Sequence, residues 1–395
     1  MKEGRARRLW AGVMVLGLVA SMFLTGVSRP ASATTLPSCG MVVTTSVTFK
    51  ADLGPCDGNG LMVVSDNVVI DCKRHALTGS GSGTGFNLTQ VDKVTLKNCL
   101  VSGFSYGVAV GLSSNVTVKG VTASNNVVGF LMDRTTHSTF KGDAARNNYN
   151  GFVLSSSSST TMKANTASHN QFAGFQATFA TNSTLKGNFA KDNYNGFVVS
   201  LSSSTTLKGN SASRNNFLGF ELDSTQNSTV RENFARNNGY GFYVTSSTGD
   251  TVKGNLAKDN YNGFGIWYST LMTVLRNTAQ NNNYSGFEVE YSYNSSITRN
   301  TAKNNGYAGF SMWGAAGNLV KSNTANRNSN GFVLGTDSSG NQLSANAADV
   351  NSMFGYSDYT SGSQTSGTAN PYATNECQGN LAGCSSPSGL GAPQP

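Results

Sequence analysis

A glycine followed by phenylalanine (by valine once, at Val108) returns at Gly85, Gly107, Gly129, Gly151, Gly174, Gly196, Gly219, Gly241, Gly263, Gly286, Gly309 and Gly331, always 22 or 23 residues apart. A fixed period of that length marks one supersecondary unit that cannot bury its own apolar face and must stack on its neighbours. Within a repeat such as 188–208, segments of three or four residues alternate with Asn, Gly and Ser turns, which leaves no room for a helix. Three short strands per coil, each pairing with its equivalent about 4.8 Å away, predict an all-β parallel β-helix solenoid of about 12–13 coils.

The columns carry the core. Phe130, Phe152, Phe175, Phe197, Phe220, Phe242, Phe264, Phe287, Phe310 and Phe332 share one position, and an aliphatic residue, Met132, Leu154, Val199 or Leu222 for example, stands two places later. That is the alternation of a strand with one buried face. A second strand points inward Leu96, Val118, Phe140, Met162 and their successors; a third contributes alanines from Ala145 to Ala325. Two asparagine columns accompany them, one from Asn165 to Asn346 and one through Asn126, Asn148, Asn193, Asn216, Asn238, Asn260, Asn283 and Asn328. Stacked amides of this kind satisfy turn backbone and one another, so they are read as architecture.

The ends differ from the middle. Arg5, Arg7 and Arg8, the apolar run 9–27 and Ala31-Ser32-Ala33 read as a secretory signal spanning 1–33. Its removal takes five basic residues and one acid and leaves 23 Lys+Arg against 19 Asp+Glu, so the net charge falls from +8 to about +4. Residues 34–66 are expected to form an N-terminal cap, 67–355 the β-helix, and 356–395 an irregular last coil with a loose tail. Cys39, Cys56, Cys72, Cys99, Cys377 and Cys384 lie only in the terminal regions. In an exported chain they suggest disulfides, expected to pair sequentially and staple the ends. With no Cys-x-x-Cys and only His75, His137 and His169, neither a metal nor another cofactor is expected. A monomer without membrane attachment after signal cleavage is expected.

The stretches N-V-V-I-D-C-K-R-H-A-L-T-G (67–79), G-S-G-T-G-F (81–86) and K-V-T-L-K-N-C-L-V-S-G-F (93–104) resemble the opening coils of secreted right-handed β-helix proteins of the pectin-lyase-like fold, including NosD-type repeats. The resemblance covers most of 36–355. It implies the fold, and a group that holds polysaccharide lyases, hydrolases, epimerases and binding proteins. The Arg-x-x-Arg-x-Pro of pectate lyases, the N-T-D and G-H-G of polygalacturonases and the D-P-H of alginate epimerases are absent here, as is a His/Met cluster for copper. The enzyme reading therefore ranks below a binding one.

Two surface features bear on function. Outward positions of the Gly-Phe strand are small or aliphatic in early coils, then become Glu221 and Asp223, Tyr243, Trp267, Glu288 and Glu290, and Trp313. Outward neighbours lie about 7 Å apart on one strand and about 4.8 Å apart between coils, so these side chains are expected to form one exposed acidic and aromatic patch. Aromatic faces stack on pyranose C–H groups and carboxylates accept from hydroxyls, so the patch suits a polysaccharide. Glu288 and Glu290, at about 7 Å, also approach the carboxylate separation of inverting glycosidases, which makes a polysaccharide-cleaving enzyme (hydrolase or lyase) one alternative, with these two as catalytic residues; a purely structural surface rod is the other.

Lys97, Lys119, Lys141, Lys163, Lys186, Lys208, Arg231 and Lys253 occupy the same position in eight consecutive coils. Cations stacked at 4.8 Å repel by roughly 0.9 kcal/mol per pair in water, so they must splay or meet anions. A linear polyanion fits such an array; so does a role in blocking sheet association. Nucleic acid is not expected, because export argues against it and no aromatics interleave with the stripe.

Overall fold

A computed structural model describes residues 36–393; the expected signal segment lies outside the described residues. The chain winds as a solenoid in which every third strand belongs to the same sheet, giving parallel sheets of 16, 15 and 16 strands. The first sheet runs from Met41–Val43 to Gly383–Ser386, the second from Val47–Thr48 to Tyr372–Ala373, and the third from Leu53–Cys56 to Ala392–Pro393. Regular helix is limited, among the described residues, to a 3-10 turn at Thr365–Gly367.

The phenylalanines stack face to face down the first sheet, ring centroids 4.5–4.8 Å apart from Phe130 to Phe332, and Tyr356 continues the stack at 5.0 Å. Each ring is buried, as are the aliphatic and alanine columns of the other two sheets. Glycine must precede the ring because its backbone is pressed against the next coil. A Cβ on Gly196 would sit 2.4 Å from the carbonyl oxygen of Gly219 and 3.0 Å from an asparagine Nδ2.

Polar groups inside the turns are satisfied by three asparagine ladders. In the first, Asn188 Nδ2 donates to Asn210 Oδ1 and to the Met162 carbonyl, and the backbone N–H of Asn188 donates to the same Oδ1. Asp143 takes the equivalent place near the start of this ladder: it accepts from the Val121 N–H, but its Oδ2 is buried without a partner. The second ladder corrects the sequence reading. It passes through Asn170, Asn215, Asn282 and Asn305 rather than Asn216 and Asn283. The 23-residue coils place their extra residue between the ladder amide and the glycine, which shifts the apparent column by one. A third ladder, Asn318 to Asn341 to Asn370, lies near the C-terminal end.

The three disulfides pair sequentially, Cys39–Cys56, Cys72–Cys99 and Cys377–Cys384. Residues 356–393, expected as an irregular last coil with a loose tail, carry further short strands. Phe354–Asp358, Tyr372–Ala373, Glu376–Gln378 and Gly383–Ser386 each extend a sheet, and Ala392–Pro393 pairs with Glu376–Gln378. The physical reason is a buried polar knot. The Asp358 carboxylate accepts from Thr360, from Asn370 Nδ2 and from the Tyr372 hydroxyl at 2.8 Å, and so ties the 359–371 excursion back to the body.

Candidate functional site

The first sheet sets the site by register. Strands Leu218–Asp223, Tyr240–Thr245, Asn262–Trp267, Phe287–Glu290 and Ala308–Trp313 pair in that order with every phenylalanine inward. One outward rank reads Glu221, Tyr243, Gly265, Glu288, Ser311; the other reads Asp223, Thr245, Trp267, Glu290, Trp313. Glu290 therefore stands between two tryptophans, and Glu221 and Asp223 mark the N-terminal end of the patch.

The patch is not the open, solvated face that the sequence suggested. Glu288 is 7% exposed, and Asn262, Ser285, Ala308 and Ser311 around it are buried. Large rings lie down over the sheet wherever a glycine makes room. Tyr240, Tyr243 and Trp267 pack mutually with centroids 5.2–6.0 Å apart. Tyr240 and Tyr243 lean on Gly265, where a Cβ would come within 3.1 Å of the Tyr243 ring. Trp313 lies across the Cα of Gly335, and its indole N–H donates to Ser311 Oγ at 2.9 Å.

Beneath this cover the Glu288 carboxylate accepts from Asn262 Nδ2 at 3.2 Å. Burial, and then the neighbouring Glu290, push its pKa up to about 7, against the opposing influence of Tyr240 and Trp267. The Trp267 Nε1–H favours the charged carboxylate yet closes no hydrogen bond and stays buried without a partner. Glu290 is also raised, by burial and then by Asp337, a residue two coils further on that accepts from the Gly314 N–H. Burial and then Glu288 push the Tyr240 phenol up to about 12. Two acids of one site thus sit in different surroundings, the inner one holding a proton near neutrality.

Sequence reasoning missed the aromatic ridge beside these strands. Two residues before the repeating glycine stand Tyr149, Phe172, Tyr194 and Phe217, successive centroids 5.9–6.4 Å apart. The run breaks at Gly239 and resumes as Tyr261, Tyr284 and Tyr307 at 5.9 and 4.8 Å. Tyr284 and Tyr307 feel the charge of Glu288, so the resumed ridge borders the acidic site. After the strands, Tyr268 and Tyr291 stack at 5.2 Å. The same 22/23 interval that exposed the phenylalanine column makes the ridge legible. Tyr240, Asn262 and Asp337 follow no column and carried no signal.

The basic residues fall into one straight rank on the second sheet, Lys97 over Lys119, Lys141, Lys163, Lys186, Lys208, Arg231 and Lys253. Among the described residues no three His, Cys, Asp or Glu side chains gather as metal ligands, and no helix is long and apolar enough to cross a membrane.

Three stacked parallel sheets wound from one short repeat, with an acidic and aromatic site on one of them, define a β-helix protein. The chain belongs to the right handed beta helix region family, whose model matches residues 42–179 and 128–279. Residues 214–380 also match the model of the periplasmic copper-binding protein NosD. No curated protein sequence matches the chain. Similar solved structures include the Dettilon tailspike protein gp208 (13% identity, 77% of this chain and 60% of that one, TM-score 0.48). The A-module of the Azotobacter vinelandii mannuronan C-5 epimerase AlgE6 aligns at 16% identity over 89% of this chain and 88% of that one, TM-score 0.37. The DFA-IIIase of Arthrobacter chlorophenolicus A6 aligns at 8% identity over 63% and 83%, TM-score 0.44. The chain spans less than two thirds of the tailspike's length.

Proposed function

We propose that this is an exported protein that binds extracellular or cell-wall polysaccharide at the first-sheet site around Glu288, with Glu221, Asp223, Tyr243, Trp267, Glu290 and Trp313 as contacts. The observation that carries the reading is the row Trp267, Glu290, Trp313: a carboxylate held between two indoles, one coil apart on either side, on a rigid sheet. Indole faces take up sugar C–H groups and the carboxylate takes up hydroxyls, while the sheet supplies preorganisation. Three disulfides support an oxidising compartment outside the cytosol.

The test is a glycan array with wild type and a Trp267→Ala/Trp313→Ala double variant. Loss of two stacking faces is expected to weaken binding on the order of 10- to 100-fold, equivalent to about 1.4–2.8 kcal/mol. No glycan bound by the wild type, or equal binding by the double variant, would defeat the proposal.

Catalysis by Glu288 and Glu290 is the second reading, favoured by one observation: a proton-holding carboxyl beside a second carboxylate, the pairing used in glycoside hydrolysis. Incubation with uronic-acid and neutral glycans would yield new reducing ends or unsaturated products, abolished by Glu288→Gln. A panel without products removes this reading and leaves binding standing.

A further inference from the structure

Over Thr117–Lys119, Thr139–Lys141, Thr161–Lys163 and Thr184–Lys186 the second sheet turns outward two ranks only, one of threonine and one of lysine, each in register. These four lysines are exposed, and among the described residues none of them meets a carboxylate. The same rank is neutralised at both ends. Lys97 is 3.2 Å from Asp71, while Lys208 and Arg231 share Glu232 at 3.5 Å, and all three cations are half-buried. Lys253, beyond Arg231, is exposed and unpaired but stands apart from the run.

The turn that follows the lysines adds no cover. It holds Gly120, Gly142, Ala164 and Gly187, and a Cβ at Gly142 or Gly187 would meet nothing within 4 Å. Charge compensation thus lapses over four consecutive coils, on a flat face whose remaining groups are hydroxyls.

We propose that this strip binds a linear acidic polysaccharide laid along the solenoid axis, one carboxylate to each of Lys119, Lys141, Lys163 and Lys186. An extended sugar chain with an acid on every ring offers carboxylates at regular intervals along its length, and its free hydroxyls meet the threonine rank. Duplex nucleic acid does not match: each strand carries a phosphate about every 3.4 Å, against about 4.8 Å between coils. Single strands need aromatic platforms, and this strip has none.

Sodium polygalacturonate titrated into the full chain by calorimetry, at low and at physiological ionic strength, tests the strip. Four exposed ion pairs are expected to contribute on the order of 10- to 100-fold in affinity. Lys119→Gln/Lys141→Gln/Lys163→Gln/Lys186→Gln should lose that factor and flatten the salt dependence, whereas the matching four-arginine variant should keep both. The glutamines relieve like-charge repulsion on a surface, so the variant should melt no lower than wild type. The first-sheet site presents carboxylates and indoles and no cation, so the salt-dependent part of the affinity reports the strip and not that site. No binding by wild type at low salt, equal binding by the glutamine variant, or polyphosphate bound as tightly through the same lysines would each overturn the proposal.

Discussion

Replacing Asp143 by asparagine is expected to raise the stability of this protein at pH 8 by up to about 4 kcal/mol and to leave it nearly unchanged at pH 4. Asp143 fills an amide position of the first ladder, 1% exposed, and its Oδ2 lies without a partner where the asparagines above it donate to a carbonyl. Burial pushes its pKa from 3.8 up to about 7. Below pH 3.8 the group is protonated whether folded or not, and nothing is lost. Between 3.8 and 7 the folded chain holds a proton that the unfolded chain releases, so stability falls by about 1.4 kcal/mol per pH unit. Above 7 the cost is constant. Asparagine makes the ladder bonds without a charge to desolvate, so urea melts of the two proteins should coincide in acid and diverge through neutrality. A gap that is the same at pH 4 and pH 8 would show that Asp143 is not the titrating group.

Gly196→Ala is expected to cost about 3 kcal/mol or more, and Gly187→Ala only about 1 kcal/mol. The two glycines are needed for different reasons. At Gly196 the added methyl would overlap a backbone carbonyl of the next coil at 2.4 Å, and the coils cannot part without breaking the ladders of three sheets. At Gly187 there is open space and only a left-handed φ of 62°, a conformation that Ala164 adopts with a φ of 54° in the equivalent turn one coil earlier. Thermal denaturation of both variants separates close packing from backbone strain. Equal losses would mean that conformation, not contact, dictates the repeating glycine.

Columns were legible because a solenoid turns sequence period into spatial register with almost no other unknown. Phe130 to Phe332, the alanines and the lysines needed only counting. Phase errors arose where the period alternates: Asn216 and Asn283 are the extra residues of longer turns, and only the hydrogen bonds identify Asn215 and Asn282 as the ladder members. Burial of the acidic site was harder to read. The outward rank is correct, but Glu288 is enclosed because Tyr240, Tyr243 and Trp267 pack together on the neighbouring coils, where Gly265 leaves room. Outwardness is set by a strand's own pleat; exposure depends on side chains three coils wide. The C-terminal region misled for a related reason, since its order rests on Asp358 and Tyr372, fourteen residues apart and polar where the columns they continue hold leucine.

The amide ladders all run one way. In each, Nδ2–H of one asparagine donates to Oδ1 of the asparagine on the C-terminal side, from Asn188 through Asn346 to Asn375 and from Asn126 through Asn351 to Asn380. Side-chain dipoles so aligned add rather than cancel, as peptide dipoles do in a helix. The molecule therefore has an electrical head and tail along its length, with amide hydrogens biased toward the C-terminal end and amide oxygens toward the N-terminal one. Its two tips present unlike potentials to whatever charged surface they approach.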